Sequence, residues 1–186
     1  MANRTSALDK HYKVGSIKVD EKTTLTLQEI RDLNIMQVAA WPSTIENMEL
    51  KLANIINSIN SPSFNQVISN NNTHILRIEP LKWWIIGGKN IQISSEEGVT
   101  NDLSHAFTSI EIKGENSQHL LNRHLPLDLR QKSFPVNSIA SSAIHHVSIK
   151  IWRLDKGYRL FVPRGFALSI WEILLETSSQ FGYEIL

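Results

Sequence analysis

The stretch from Ala143 to Phe181 constrains this chain most. Ala143–Leu154 sets Val147, Ile149 and Ile151 against Ser148, Lys150 and Trp152, the period-two pattern of a half-buried strand. Asp155-Lys156-Gly157 reads as a tight turn in which glycine supplies a positive φ, and Tyr158–Val162 as the returning strand. The period then becomes helical. Phe166, Ile170, Ile173, Leu174 and Thr177 share one stripe of Phe166–Phe181, with Trp171 and Leu175 beside it. Gly182 suits the residue just past a helix end, and Tyr183–Leu186 reads as a last short strand. Upstream, Ala106–Lys113 is a strand with Ile110 and Ile112 on one face, closed by Gly114. Glu115–His124 is a helix turning Leu120 and Leu121 inward. The order β-α-β-β-α-β is the split-βαβ, ferredoxin-like arrangement.

The first half reads as a degraded version of the same order. Leu33–Trp41 is an apolar strand stopped by Pro42. Ser43 or Thr44 then caps a helix over 44–59 whose stripe is Ile45, Met48, Leu52, Ile55, Ile56 and Ile59. Asn70–Asn72 is a turn, and His74–Glu79 with Trp83–Ile86 reads as a hairpin. Asn90–Ser94 is a further short strand or a turn of helix. The expected class is α+β, with two ferredoxin-like halves at about 31–97 and 98–186 in one domain spanning 31–186. Residues 1–30 are polar, apart from a brief alternation at Thr24–Leu27. They are expected to form an extended arm, either a flexible terminus or a segment that orders against a partner.

Composition narrows the function by exclusion. Hydrophobic residues are 41%, charged residues 20%, and the net charge is +1 over 186 residues, which excludes a disordered chain. A pI near 8.0 is below the range of dedicated nucleic-acid binders, above about 9. With no cysteine, disulfide scaffolds, iron–sulfur sites and thiolate zinc sites are excluded. No run approaches the roughly 18 apolar residues of a membrane span. No apolar signal core is visible near the N-terminus, so a cytoplasmic protein is expected.

The chain carries no HExxH, no GxxxxGK[ST], no GxGxxG and no GxSxG motif. Of the seven histidines, His145 and His146 are adjacent on a predicted strand and so should face opposite ways. His119 and His124 are five apart and miss a common helical face. No metal site is therefore expected. Asp102-Leu103-Ser104-His105 is the most suggestive polar cluster. Asp102 and His105 are either a proton-transfer pair or groups that satisfy a bend. Of the five tryptophans, Trp83 and Trp84 are strand neighbours, so one should face out. An outward ring among Trp41, Trp83, Trp84 and Trp152 would mark a partner surface. Arg77, Lys82 and Lys89 are too few for a nucleic-acid stacking stripe.

Taken in order, the blocks LNIMQVAAWPST, ILRIEPLKWWIIG, VTNDLSHAFTSIEIKG, HLLNRHLPLDL and SIKIWRLDKGYRLFVPRGFALSIWEIL resemble the gamma-subunit family of heterotetrameric sarcosine oxidase over about residues 30–182. Ala39-Ala40-Trp41-Pro42 and Val162-Pro163-Arg164 are the most family-like pieces. Asp102–Gly114, followed by Leu120-Leu121 and Asp128, also resembles the aminomethyltransferase family of the glycine-cleavage system. The resemblance implies a folate-binding-domain-like fold and an accessory role in oxidative demethylation of sarcosine to glycine, with the one-carbon unit passed to tetrahydrofolate. It implies a large alpha partner that binds folate and dinucleotide, with beta and delta subunits beside it. FAD, FMN, NAD, tetrahydrofolate and zinc would then belong to those partners, and this chain would hold no cofactor and no catalytic group. The carboxylate motif that holds the pterin in aminomethyltransferases has no match here, so no folate site is carried over. The rival classes are a stand-alone folate-binding or one-carbon transfer protein using Asp102 and His105, and a ferredoxin-like binding module.

Overall fold

Alternating and striped segments become twelve strands and three α-helices in a computed structural model that describes residues 5–88 and 91–186. In chain order these are β1 (Gly15–Ile17), β2 (Leu25–Ile30), β3 (Ile35–Ala40), α1 (Ile45–Ile55), β4 (Val67–Asn70), β5 (Thr73–Glu79), β6 (Lys82–Ile86), β7 (Gly98–Asp102) and β8 (Phe107–Lys113). They continue with α2 (Ser117–Asn122), β9 (Ile139–Ile144), β10 (Val147–Leu154), β11 (Gly157–Pro163), α3 (Ala167–Ser178) and β12 (Tyr183–Ile185). The chain divides into two compact units. One comprises Met1–Arg31, His105–Val136 and Ser141–Leu186; the other comprises Asp32–Ser104 and Asn137–Ala140.

The first of these units is built on a sheet of order β1-β12-β2-β8-β11-β10-β9. Setting β2 aside, β12-β8-β11-β10 is the 4-1-3-2 order of a ferredoxin-like β-α-β-β-α-β unit, with α2 and α3 as its helices. Strand β2 is wedged between the first and fourth strands, antiparallel to β8 and parallel to β12. Helices α2 and α3 pack on β11 and on each other. Of the expected stripe, Ile170 and Leu174 are buried on α3 with Trp171 beside them, Ile173 and Thr177 are half-buried, and Phe166 lies exposed in the short 3-10 turn before the helix, which runs Ala167–Ser178 rather than 166–181.

Residues 1–30 were expected to be an extended arm, and the structure differs. Residues 5–30 are part of this unit: β2 alternates strictly, with Leu25 and Leu27 buried, and Leu8 is fully buried. Tyr12 stacks on Trp171 at 5.3 Å, and its hydroxyl donates to the Leu186 carbonyl and accepts the Glu29 N–H at 3.0 Å. The Thr24–Leu27 alternation was a strand signal too short to weigh against its polar surroundings.

The second unit has the all-antiparallel order β4-β5-β6-β3-β7. Its β5-β6-β3-β7 segment repeats the 4-1-3-2 order, with α1 in the first crossover. One side of the sheet and α1 share a core of Val38, Met48, Leu52, Ile56, Ile75, Trp83 and Ile85. The expected half boundary at 97/98 moves to 104/105, because β7 pairs with β3 and completes this sheet. Helix α1 ends at Ile55 rather than 59; Asn57 has φ +50° and Ile59 is 91% exposed. Of the segment Asn90–Ser94, Asn90 lies outside the described residues and 91–94 form neither helix nor strand.

The long strand expected over Ala143–Leu154 is two strands. His145 and His146 form the turn between β9 and β10 rather than opposite faces of one strand. His145 has φ +52°, a left-handed conformation that two-residue hairpins need and that His tolerates better than most residues.

Candidate functional site

Among the tryptophans proposed as surface anchors, Trp41 alone is exposed, at 44%; Trp83, Trp84 and Trp152 are buried. The expectation that Trp83 or Trp84 faces out fails because both faces of β6 are covered. Trp83 sits in the α1 core with the Arg77 guanidinium 4.9 Å above its ring, and the Trp84 indole N–H donates to Gln37 Oε1 at 3.3 Å. Trp152 lies under the Arg159 guanidinium at 5.1 Å.

Trp41 is held from below. It leaves β3 just before Pro42 and the short 3-10 turn Pro42–Thr44. Its indole N–H donates to the Ser95 carbonyl at 2.8 Å, and its backbone N–H to the Glu97 carbonyl at 3.3 Å. Thr44 Oγ1 donates to the same Glu97 carbonyl at 2.6 Å. The Glu97 carboxylate accepts from Lys51 and Asn47 of α1 and from the Ser94 N–H at 3.0 Å. Lys51 first, then the Ser94 N–H, hold the Glu97 carboxyl down at about 2, against an ordinary 4.5. The ring is thus pinned at its polar edge while the residue stays 44% exposed. Val99, on the strand that pairs with β3, is also exposed, at 52%. Glu97 went unnoticed in the sequence, although Ser94-Ser95-Glu96-Glu97 has the S-x-x-E spacing of a capping box.

Asp102 ends β7. Its Oδ1 accepts the Ser104 N–H at 2.9 Å, and Ser104 Oγ accepts the Ile35 N–H at 3.0 Å. This is a bend stabilised by short polar side chains. With Asn34, Met36 and Gly88 these residues line a small cavity of about 180 Å³. His105 is exposed and begins the other unit's share of the chain.

The histidine geometry also differs from the sequence reading. His124 and His145 approach each other, with ring centroids 6.3 Å apart, and His124 Nε2 lies 2.9 Å from Thr177 Oγ1. Burial first, then the His145 and Arg123 charges, push the His124 imidazole down. Among the described residues, no group of three or more His, Asp or Glu side chains is placed to hold a metal ion. No helix among them is long and apolar enough to cross a membrane.

In the other unit, Glu111 is buried on β8 and paired with both Arg159 and Lys113. The three side chains carry one negative and two positive charges. The cations outweigh the cost of burial and hold the Glu111 carboxyl below its usual range.

No family model matches this chain, and no curated protein matches it in sequence. Solved structures do. The chain is similar to heterotetrameric sarcosine oxidase from Corynebacterium sp. U-96, solved in complex with pyrrole 2-carboxylate. Identity is 18%, coverage is 96% of this chain and 96% of that one, and the TM-score is 0.80. It is also similar to the glycine cleavage system aminomethyltransferase T from Bartonella henselae, at 13% identity and a TM-score of 0.60, over 89% of this chain and 48% of that one. The α+β fold is therefore the one shared by a sarcosine oxidase subunit and an aminomethyltransferase.

Proposed function

We propose that this chain is a gamma-type accessory subunit of a heterotetrameric sarcosine oxidase. In that assembly sarcosine is demethylated oxidatively to glycine and the one-carbon unit passes to tetrahydrofolate. The end-to-end correspondence, 96% of both chains at a TM-score of 0.80, carries the reading. FAD, FMN, NAD, folate and zinc chemistry would reside in the alpha, beta and delta partners, in the cytoplasm. This chain would contribute a rigid docking surface.

Trp41 is the anchor we assign to that surface. A pinned aromatic offers a large area with little side-chain freedom left to lose, which is what binding hot spots have in common. Purifying the tagged full chain from its native cell should bring down larger flavin-bearing subunits with sarcosine-dependent peroxide formation. Recovery of the chain alone would overturn the proposal. Trp41→Ala should weaken that association by about tenfold or more, while the melting temperature moves by only a few degrees, roughly one surface hydrogen bond. The aminomethyltransferase likeness favours a second reading, a stand-alone folate-binding protein using Asp102 and His105. Saturable binding of a reduced folate to the purified chain would favour it over the accessory role.

A further inference from the structure

The turn joining β10 to β11 and the segment joining β8 to α2 wall a cavity of about 510 Å³ within the seven-stranded unit. Arg153, Tyr158, Lys113 and Lys156 line it, with Glu115 and Asp155. Arg153 and Tyr158 are direct cross-strand partners. Arg153 Nη1 donates to the Leu129 carbonyl and, at 3.1 Å, to the Tyr158 hydroxyl. The guanidinium carbon lies 5.3 Å from the Tyr158 ring centre, and Tyr158 is itself buried.

Both hydrogens of Nη1 are thus committed to neutral acceptors, which fixes the plane of the guanidinium. Among the described residues, Arg153 has no carboxylate partner, and neither Nε nor Nη2 has an acceptor. That leaves the Nε–Nη2 edge, two parallel N–H groups matched to the two oxygens of a carboxylate or phosphate. A half-buried cation without a counter-ion costs desolvation energy that an anion would recover.

The surroundings add to the field. Lys113 shares its carboxylate partner, Glu111, with Arg159, so that cluster keeps one surplus positive charge. Lys156 is exposed on the turn and carries no ion pair among the described residues. Glu115, Asp155 and Lys156 are all exposed, so water and salt screen the three alike, and the half-buried Arg153 carries the site. These two carboxylates disfavour an extended polyanion but leave a compact anionic head free to enter. The volume is that of a small-molecule site, in a range of about 300–1,000 Å³.

We propose that this cavity binds a small organic anion through a bidentate contact to Arg153, with Tyr158 beside it and Lys156 at the rim. The ligand class is a carboxylate or phosphomonoester of metabolite size. The inference stands apart from the accessory-subunit reading, because it needs no partner chain and no folate.

Titrating the full chain by NMR or calorimetry in chloride buffer tests it, with inorganic phosphate in one arm and succinate in the other. At least one should saturate at millimolar concentrations and shift the amides of Arg153, Gly157 and Tyr158. The arm that saturates names the head group. Arg153→Lys keeps the charge and removes the fork, so it should weaken binding by about tenfold or more. Lys156→Ala, on the exposed turn, should weaken it about two- to threefold with the melting curve unchanged. If Arg153→Lys does not fold, the Lys156→Ala loss and the amide map still decide. No saturation in either arm, or affinity unchanged in the variants, would overturn the proposal.

Discussion

The two sheets share the 4-1-3-2 order, interrupted by β2 in the seven-stranded one, and stabilise it by different means. In the seven-stranded unit the second crossover is α3, whose Ile170, Trp171 and Leu174 bury an apolar stripe. In the five-stranded unit the corresponding connection, residues 87–97, has no helix among its described residues. It is tied down by the Glu97 carboxylate and the Trp41 indole instead. A helix stripe is held by area removed from water, which pH does not touch. A carboxylate hub is held by charge-assisted hydrogen bonds, which acid removes. The same topology can therefore be closed by oil or by ions, and the ionic closure holds its exposed aromatic ring, Trp41, by a hydrogen bond at the indole N–H.

The largest effect should come from deleting residues 1–30. This removes β2 from the middle of a sheet, the buried Leu8, Leu25 and Leu27, and the Tyr12 ring on Trp171. The truncated chain should fail to fold its seven-stranded unit, read as lost β-sheet circular dichroism and insoluble expression. A deletion mutant with a normal melting curve would mean that β2 is dispensable and the apolar closure far more robust than its burial implies.

Next in size is Leu174→Ala. The side chain is fully buried on α3, and its removal should cost about 2–5 kcal/mol by lost transfer energy and the cavity left behind. Chemical denaturation measures it. A cost under about 1 kcal/mol would show that the helix face collapses onto β11 without a cavity.

Strong periodicity explains what the sequence made legible. The Asp155–Gly157 turn and the Ile110/Ile112 face stand in the structure, and so does the centre of the 166–181 stripe, Ile170 and Leu174; the helix itself runs Ala167–Ser178 and leaves Phe166 exposed before it. Signals one or two residues long were lost. Leu25 and Leu27 alternate over too short a span, and β4 and β7 are short edge segments of mixed polarity. The His145 turn has no Gly or Asn to announce it. The candidate site was legible as a residue type, an exposed Trp, but not as a position. Exposure of Trp83, Trp84 and Trp152 depends on what covers each sheet face, which a strand's own period does not encode. Arg153 was hidden for the same reason: its free edge exists only because Leu129, 24 residues away, supplies a carbonyl.

The smallest effect lies in the ionic closure and is visible only as acid is added. Glu97 has a folded-state carboxyl at about 2 against an ordinary 4.5. A depressed carboxyl favours the folded state fully above its unfolded value, and that contribution fades as pH falls through the folded one. The Ser94 amide, which donates to Glu97 Oε2, reports this directly. Its NMR shift should hold still from neutral pH to about pH 3 and move only below that. Glu97→Gln keeps an acceptor for the Ser94 N–H but removes the charge that Lys51 pairs with, so the acid step should vanish in the variant. Leu174→Ala should leave the step where it is, because the two closures rest on different physics. A wild-type midpoint near 4.5 would mean that Lys51 and the Ser94 N–H do not hold the carboxylate in solution. The 94–97 turn under Trp41 would then be no stiffer than an ordinary surface loop, and the contrast between the two units would reduce to helix against loop.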